Sequence, residues 1–286
     1  MRAAVSNAIG RICVANVRAD EFTKLSPAFA KRRSDEKPFG EINQMSPEKF
    51  TDLRAEFVKR EPWITKFHLE GEDFGGYFDA MNDARITQFF EIFPDVENII
   101  ELGSLEGGHS FALAQNAHVK KVLAIEGRAH NIEKSKFVKE LLNDKKVEFV
   151  QADIEKMNFE PFGTFDAVFC SGLLYHLPKP WELIPKLARI SENIFIWTQI
   201  SEEAKAKKMR EGWRGRFHRE GGLFDPLSGL SKRSFWLSLG SLVGLLTVNG
   251  YKEVKIIEHN LAHPNGHAVT LAATQGKFNL RKDLEK

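Results

Sequence analysis

The spacing of apolar positions changes near residue 96. Before it the pattern is that of amphipathic helices; after it, short apolar runs alternate with helical stretches. On the N-terminal side, "SPEKFTDLRAEFVKR" predicts a helix with Ser46 as N-cap, Pro47 at the first helical position and Glu48 in the first turn. "DAMNDARITQFFEIFP" sets Ala80, Ala84, Ile86, Phe89 and Phe90 on one helical face before Pro94 stops it. Strand-like runs follow: "ENIIELGS", "KKVLAIEG", "KVEFVQAD", "FDAVFCSG" and "ENIFIWTQI". Helical stretches such as "AHNIEKSKFVKELLN" and "PKPWELIPKLARI" separate most of them. That alternation predicts parallel βαβ units around a buried sheet with helices on both faces.

A polar insertion at 201–233 breaks the rhythm, and "SFWLSLGSLVGLLTVNG" then reads as a helix stopped by Asn249–Gly250. Two further strands, "KEVKIIEHN" and "HAVTLAATQ", flank "HPNG". That turn is too short for a crossover helix, so the last strand is expected to be antiparallel. The chain divides into a poorly specified 1–46, a helical cap at 47–93, an α/β domain at 94–276 carrying the insertion, and a tail at 277–286.

Composition narrows the class. The chain has 286 residues, 42% hydrophobic and 28% charged, which is enough apolar material for a core. A net charge of +2 gives no global field in favour of nucleic acid. The two cysteines, Cys13 and Cys170, have no metal-ligand spacing, so neither a metal nor a disulfide is expected. A reducing, cytoplasmic location is the expectation that goes with them. The most apolar stretch, 235–248, is shorter than the ~20 residues of a membrane span. Arg2, Arg11 and Arg18 with no acid before Asp20 resemble an organelle transit peptide in charge alone.

The stretch "VENIIELGSLEGGHSFALA" carries the chemistry: a strand ends in an acid and a glycine, and a helix begins soon after. A phosphate-cradling loop would need a Lys after its last glycine, which "GGHSF" lacks. In a dinucleotide fingerprint counted from Gly103, position 105 would be glycine; here Leu105 crowds the approach of a pyrophosphate. A cofactor without phosphates makes weaker demands, and S-adenosylmethionine fits them. Its ammonium can pair with Glu101 or nearby carbonyls, Glu126 can accept from both ribose hydroxyls, and Asp153 can accept from the adenine amine.

Together "IIELGSLEGGHS", "VLAIEG", "FVQADI" and "FDAVFCSGLLYHLPKPWELI" resemble class I S-adenosylmethionine-dependent methyltransferases over roughly 75–275. The resemblance implies a Rossmann-like seven-stranded sheet, mostly parallel with the last strand antiparallel. It implies cofactor contacts at Glu101, Gly103, Ser104, Gly107, Glu126, Asp153 and the segment Cys170–Gly172, including Ser171, with Ile154 packed on the adenine face. Arg85 is a candidate for the cofactor carboxylate and equally a surface arginine.

Tyr175 and His176 follow the fourth strand, where this fold presents the transferred methyl. His176 is the candidate base, with a structural role as the alternative; Tyr175 shapes the pocket or contacts the sulfonium. Three regions stand to meet the acceptor. They are an aromatic segment with Trp63, Phe67, Phe74, Tyr77 and Phe78; the basic insertion with Arg210, Arg214, Arg216 and Arg219; and the turn bearing His263 and Asn265. The expected acceptor is an oxygen or nitrogen of a small molecule, with an anionic one among the candidates and no membrane partner. Transfer RNA, held by the insertion, is the alternative acceptor. A non-catalytic cofactor-binding protein and a nicotinamide oxidoreductase are the competing classes.

Overall fold

The computed structural model describes residues 47–222 and 225–278. The expectations for 1–46 and for most of the C-terminal tail therefore lie outside the described residues. The first helix, α1 (Pro47–Val58), leads into a hairpin of β1 (Lys66–Leu69) and β2 (Glu72–Gly75), then α2 (Ala84–Ile92). The core follows as β3 (Asn98–Leu102), α3 (Gly108–Ala114), β4 (Lys121–Glu126), α4 (Ala129–Leu141), β5 (Val147–Gln151), β6 (Ala167–Ser171), α5 (Pro180–Leu187) and β7 (Asn193–Gln199). The chain closes with β8 (Lys208–Arg210), β9 (Trp213–Arg219), β10 (Arg233–Leu237), α6 (Leu239–Val248), β11 (Glu253–Asn260) and β12 (Ala268–Thr274).

Seven strands form one sheet in the order β11-β12-β7-β6-β3-β4-β5. Strand β12 is antiparallel to both neighbours, and the remaining pairings are parallel. Alternate residues of each strand feed two cores. Ile100, Leu123, Val168 and Ile194 face α5 and α6 through Leu183, Ile184, Leu242 and Leu246. Ile99, Val122, Phe169 and Phe195 face the other side, where Phe89, Phe111, Phe57 and Trp63 close over them. Both faces are covered, which is why these strands read as unbroken apolar runs.

Two expectations need correction. The segment 47–93 is not helical throughout, because residues 66–75 form a hairpin. Its loop, Glu70–Gly71, has φ of 52° and 84°, the positive values a two-residue hairpin turn requires. Phe67 and Phe74 pair across it and bury their rings. Likewise the helix expected from Ser234 onward begins only at Leu239. Residues 233–237 pair with β9, and the Ser238 hydroxyl caps the helix by accepting from the Ser241 N–H. The polar insertion is thus a small antiparallel sheet, order β10-β9-β8, turned at Glu211–Gly212 with φ of 48° and 87°.

Candidate active site

The carboxyl ends of β3, β4, β5, β6 and β7 converge on a cavity of about 510 Å³, the place where open α/β sheets take ligands. One end is polar. Gly103 (φ 75°) makes the turn out of β3, and Leu105 holds a left-handed φ of 51°. The Leu105 N–H donates to Glu126 Oε2 at 3.0 Å and the Arg128 N–H to Oε1 at 2.8 Å. Glu126 is therefore locked at the end of β4 with its carboxylate at the cavity wall. Burial pushes its pKa up, against the lowering effect of those backbone donors. Asp153 and Ile154 line the cavity beyond β5, where the Glu155 N–H donates to Asp153 Oδ1 at 3.1 Å.

Not every expected residue reaches this space. Gly103, Ser104, Glu126, Asp153, Ile154, Ser171, Arg85, Tyr175 and His176 all line it. Glu101 lies beneath the turn, 2% exposed, accepting from the Ser110 hydroxyl. Burial raises its pKa to about 7. Gly107 packs instead on Phe149 and Phe111, where a Cβ would come within 2.8 Å and 3.0 Å of the rings. Cys170 is fully buried in β6, and burial raises its thiol to about 12, so it is inert. Gly108 matters for packing: a Cβ there would come within 2.6 Å of Ala80 and 2.7 Å of Thr65, which bring the cap to the cavity rim.

Arg85 sits between the two ends of the cavity. Its guanidinium donates to Ser171 Oγ at 2.8 Å, pairs with Asp83, and lies 4.8 Å from the Trp197 ring centre. His109 Nε2 is 3.1 Å from the same Asp83. The hydrogen bonds from His109 and Arg85, against the raising effect of burial, hold Asp83 well below the usual carboxylate range.

The other end is aromatic. Tyr175 lies edge-on to Trp197 and Trp236, each 5.9 Å away, and burial raises its phenol to about 12, so it is neutral at physiological pH. His176 Nδ1 is 2.8 Å from Glu220 Oε2. The same oxygen accepts from the Gly229 N–H at 2.8 Å and the Ser228 hydroxyl at 3.0 Å, and Oε1 accepts from Ser234. An ionised, acceptor-only carboxylate needs a proton on Nδ1, so the neutral ring takes the tautomer with its lone pair on Nε2. Burial alone would raise the Glu220 pKa, but its donors, His176 first, hold it down at about 2.

Sequence reasoning did not single out Glu220, which lies among the basic residues of the insertion. Its one local signal is "RFHRE", in which Arg216 and His218 share one face of a strand and Glu220 follows just past its end. Among the described residues no group of three His, Cys, Asp or Glu side chains is arranged to hold a metal, and no helix is long and apolar enough to cross a membrane.

The cavity suits an adenosyl cofactor. Ser104 Oγ is buried in its wall without a protein partner, a position that calls for a ligand polar atom. Comparison with known proteins agrees. Residues 100–193 match the model of a methyltransferase domain. The N-terminal domain of EvdMO1, crystallised in the presence of SAH (S-adenosylhomocysteine) and D-fucose, is 29% identical over 81% of this chain and 98% of its own, with a TM-score of 0.72. The structure of EvdMO1 matches at 27% identity over 78% of this chain, with a TM-score of 0.63; only 47% of that longer chain is covered. No curated protein sequence matches. The fold and the match over residues 100–193 are those of a class I S-adenosylmethionine-dependent methyltransferase, and they indicate S-adenosylmethionine as the cofactor.

Proposed function

We propose that this methyltransferase acts on a hydroxyl oxygen of a sugar-like small molecule, with His176 as general base. The observation that carries this reading is the contact between His176 and Glu220. A nitrogen acceptor with a free lone pair needs no base, whereas a hydroxyl must lose its proton as the new C–O bond forms. The bound cofactor would supply a methyl group on a sulfonium. Glu126 and Asp153 would hold its ribose and adenine, and Ser104 and Arg85 its amino-acid end. His176 Nε2 takes the hydroxyl proton, and Glu220 stabilises the resulting imidazolium through Nδ1–H. Tyr175, Trp197 and the cap residue Phe78 wall the reacting atoms from water.

The aromatic end supports a sugar. Trp197 offers a flat face, while Gln199, His263 and Asn265 offer hydrogen-bonding groups around it. A polyhydroxylated ring with one apolar face asks for that mixture. The presence of D-fucose in the EvdMO1 domain crystals points the same way.

The test is methyl transfer from labelled S-adenosylmethionine to D-fucose and related free hexoses. Wild-type protein should form an O-methyl sugar. His176→Ala should lower kcat by about 10²–10⁴-fold while leaving cofactor affinity, read by calorimetry, unchanged. Full turnover in the alanine variant would remove the base from the proposal.

A further inference from the structure

Strand β9 continues past the candidate base and carries a second group of polar side chains. Arg216 and His218 share one face of the strand, and Glu220 follows just past its end. Glu220 meets His176 directly. His218 stacks on Trp236 at 4.5 Å between ring centres, and the Arg216 guanidinium lies over the same indole at 4.1 Å. Trp236 in turn is 5.9 Å from Tyr175, which is 4.1 Å from His176. The β11–β12 turn closes the far side: a Cβ on Gly266 would lie 3.1 Å from Trp236 and 3.8 Å from an Arg216 Nη. The preceding residue in that turn, Asn265, lines the cavity. Tyr175 lines it too; Arg216, His218 and Trp236 do not, and Arg216 lies just beyond that lining, across Trp236 and Gly266.

Arg216 makes no ion pair among the described residues, unlike Arg85 at the other end of the cavity. Glu202, the acid that bears on it, is engaged by Lys205 at 2.5 Å. A guanidinium with its face fixed on an indole keeps its in-plane N–H groups free for an oxyanion. Gly266 leaves the room beside it open, where any side chain would crowd Trp236. Glu220 lies four residues on from Arg216, roughly 13 Å if extended at 3.3–3.4 Å per residue. That span suits a sugar ring with a phosphate beyond it.

We propose that Arg216, with His218 beside it, forms a subsite for a phosphate group carried by the acceptor, so that the preferred substrate is a phosphorylated or nucleoside-diphosphate-linked sugar. The inference rests on the sugar reading above and adds the charge. An enzyme of this preference acts after the activation of a sugar as its phosphate ester and before a glycosyl transfer consumes it.

The experiment is calorimetry on the full chain saturated with S-adenosylhomocysteine. D-fucose, D-fucose 1-phosphate and a nucleoside-diphosphate-linked D-fucose are titrated into wild type, Arg216→Gln and Arg216→Lys. Wild type should bind one or both phosphorylated sugars at least tenfold more tightly than the free sugar. Preference for the monophosphate or for the diphosphate identifies the source of the phosphate. Arg216→Gln should erase that preference without changing affinity for the free sugar or for S-adenosylhomocysteine, and Arg216→Lys should retain part of it. Equal binding of charged and neutral sugars in wild type, or a preference that survives Arg216→Gln, overturns the subsite and leaves the sugar reading standing. Binding of none of the three overturns both.

Discussion

Glu220 is a strand-end glutamate surrounded in sequence by arginines, yet its partners are His176, Ser228, Gly229 and Ser234. Those donors hold its pKa at about 2 in the folded chain, against about 4.3 for an unperturbed glutamate. The folded state therefore binds fewer protons than the unfolded state between these values. Its stabilising contribution is complete above pH ~4.5 and is lost as pH falls toward 2. Denaturant unfolding followed from pH 6 to pH 3 should show wild type losing stability faster than Glu220→Gln, which has no carboxyl to protonate. Parallel slopes would mean that the carboxylate is not held as described. Glu101 shows the opposite case: burial raises its pKa to about 7, so its ionisation opposes folding as pH rises through that value. An acid at a strand tip can thus line the cavity, as Glu126 does, or be buried against the following helix, as Glu101 is through Ser110. Sequence position alone does not separate the two, because the difference lies in the partners each meets: the Ser110 hydroxyl for Glu101, and the backbone N–H groups of Leu105 and Arg128 for Glu126.

At the scale of elements, a buried acid ties the cap to the loop after β3. Glu106 Oε2 accepts the N–H groups of Ile64 and Thr65 at 3.0 Å and 2.6 Å, and Oε1 accepts Lys134 Nζ at 2.8 Å. Glu106 is 1% exposed and Lys134 6%, so neither charge is relieved by water. Glu106→Ala would leave a buried ammonium and two buried N–H groups without this acceptor. Denaturant titration should show a loss of about 3–5 kcal/mol; a loss under 1 kcal/mol would show that the pair is not sealed from solvent. The central strands were legible because both of their faces are buried, which leaves continuous apolar runs. The β1–β2 hairpin and the β9–β10 pair were not. The β1–β2 and β8–β9 hairpins have short strands with few buried positions, and each is turned by a two-residue Glu–Gly loop without an Asn or Asp to mark it. The stretch before α6 failed for another reason: Phe235, Trp236 and Leu237 are buried in a strand, and their apolar run is continuous with that of the helix.

For the whole molecule, a doubly wound sheet brings its strand tips together, and two additions complete the pocket. The cap contributes Ile64, Thr65 and Phe78 to one wall, and the small antiparallel sheet contributes the carboxylate that orients His176. The segment after that sheet's second strand also reaches the cofactor side. The Arg128 guanidinium donates to the Asp225 and Ser228 carbonyls at 3.2 Å and 2.6 Å, and Leu230 covers Gly127. The turn after β4 and the support of the base are thereby joined through one stretch of chain. Sequence motifs marked the cofactor half of this site because its residues follow successive strands. The acceptor half was only partly visible, since His176 and Glu220 are 44 residues apart and meet through the insertion.

The most direct measurement is a crystal structure of the chain with S-adenosylhomocysteine bound. The ribose hydroxyls should meet Glu126, the adenine should lie beside Asp153 and Ile154, and the sulfur should face the space bordered by Tyr175 and His176 Nε2. Density for the ligand outside this cavity, or a sulfur directed away from His176, would contradict the account.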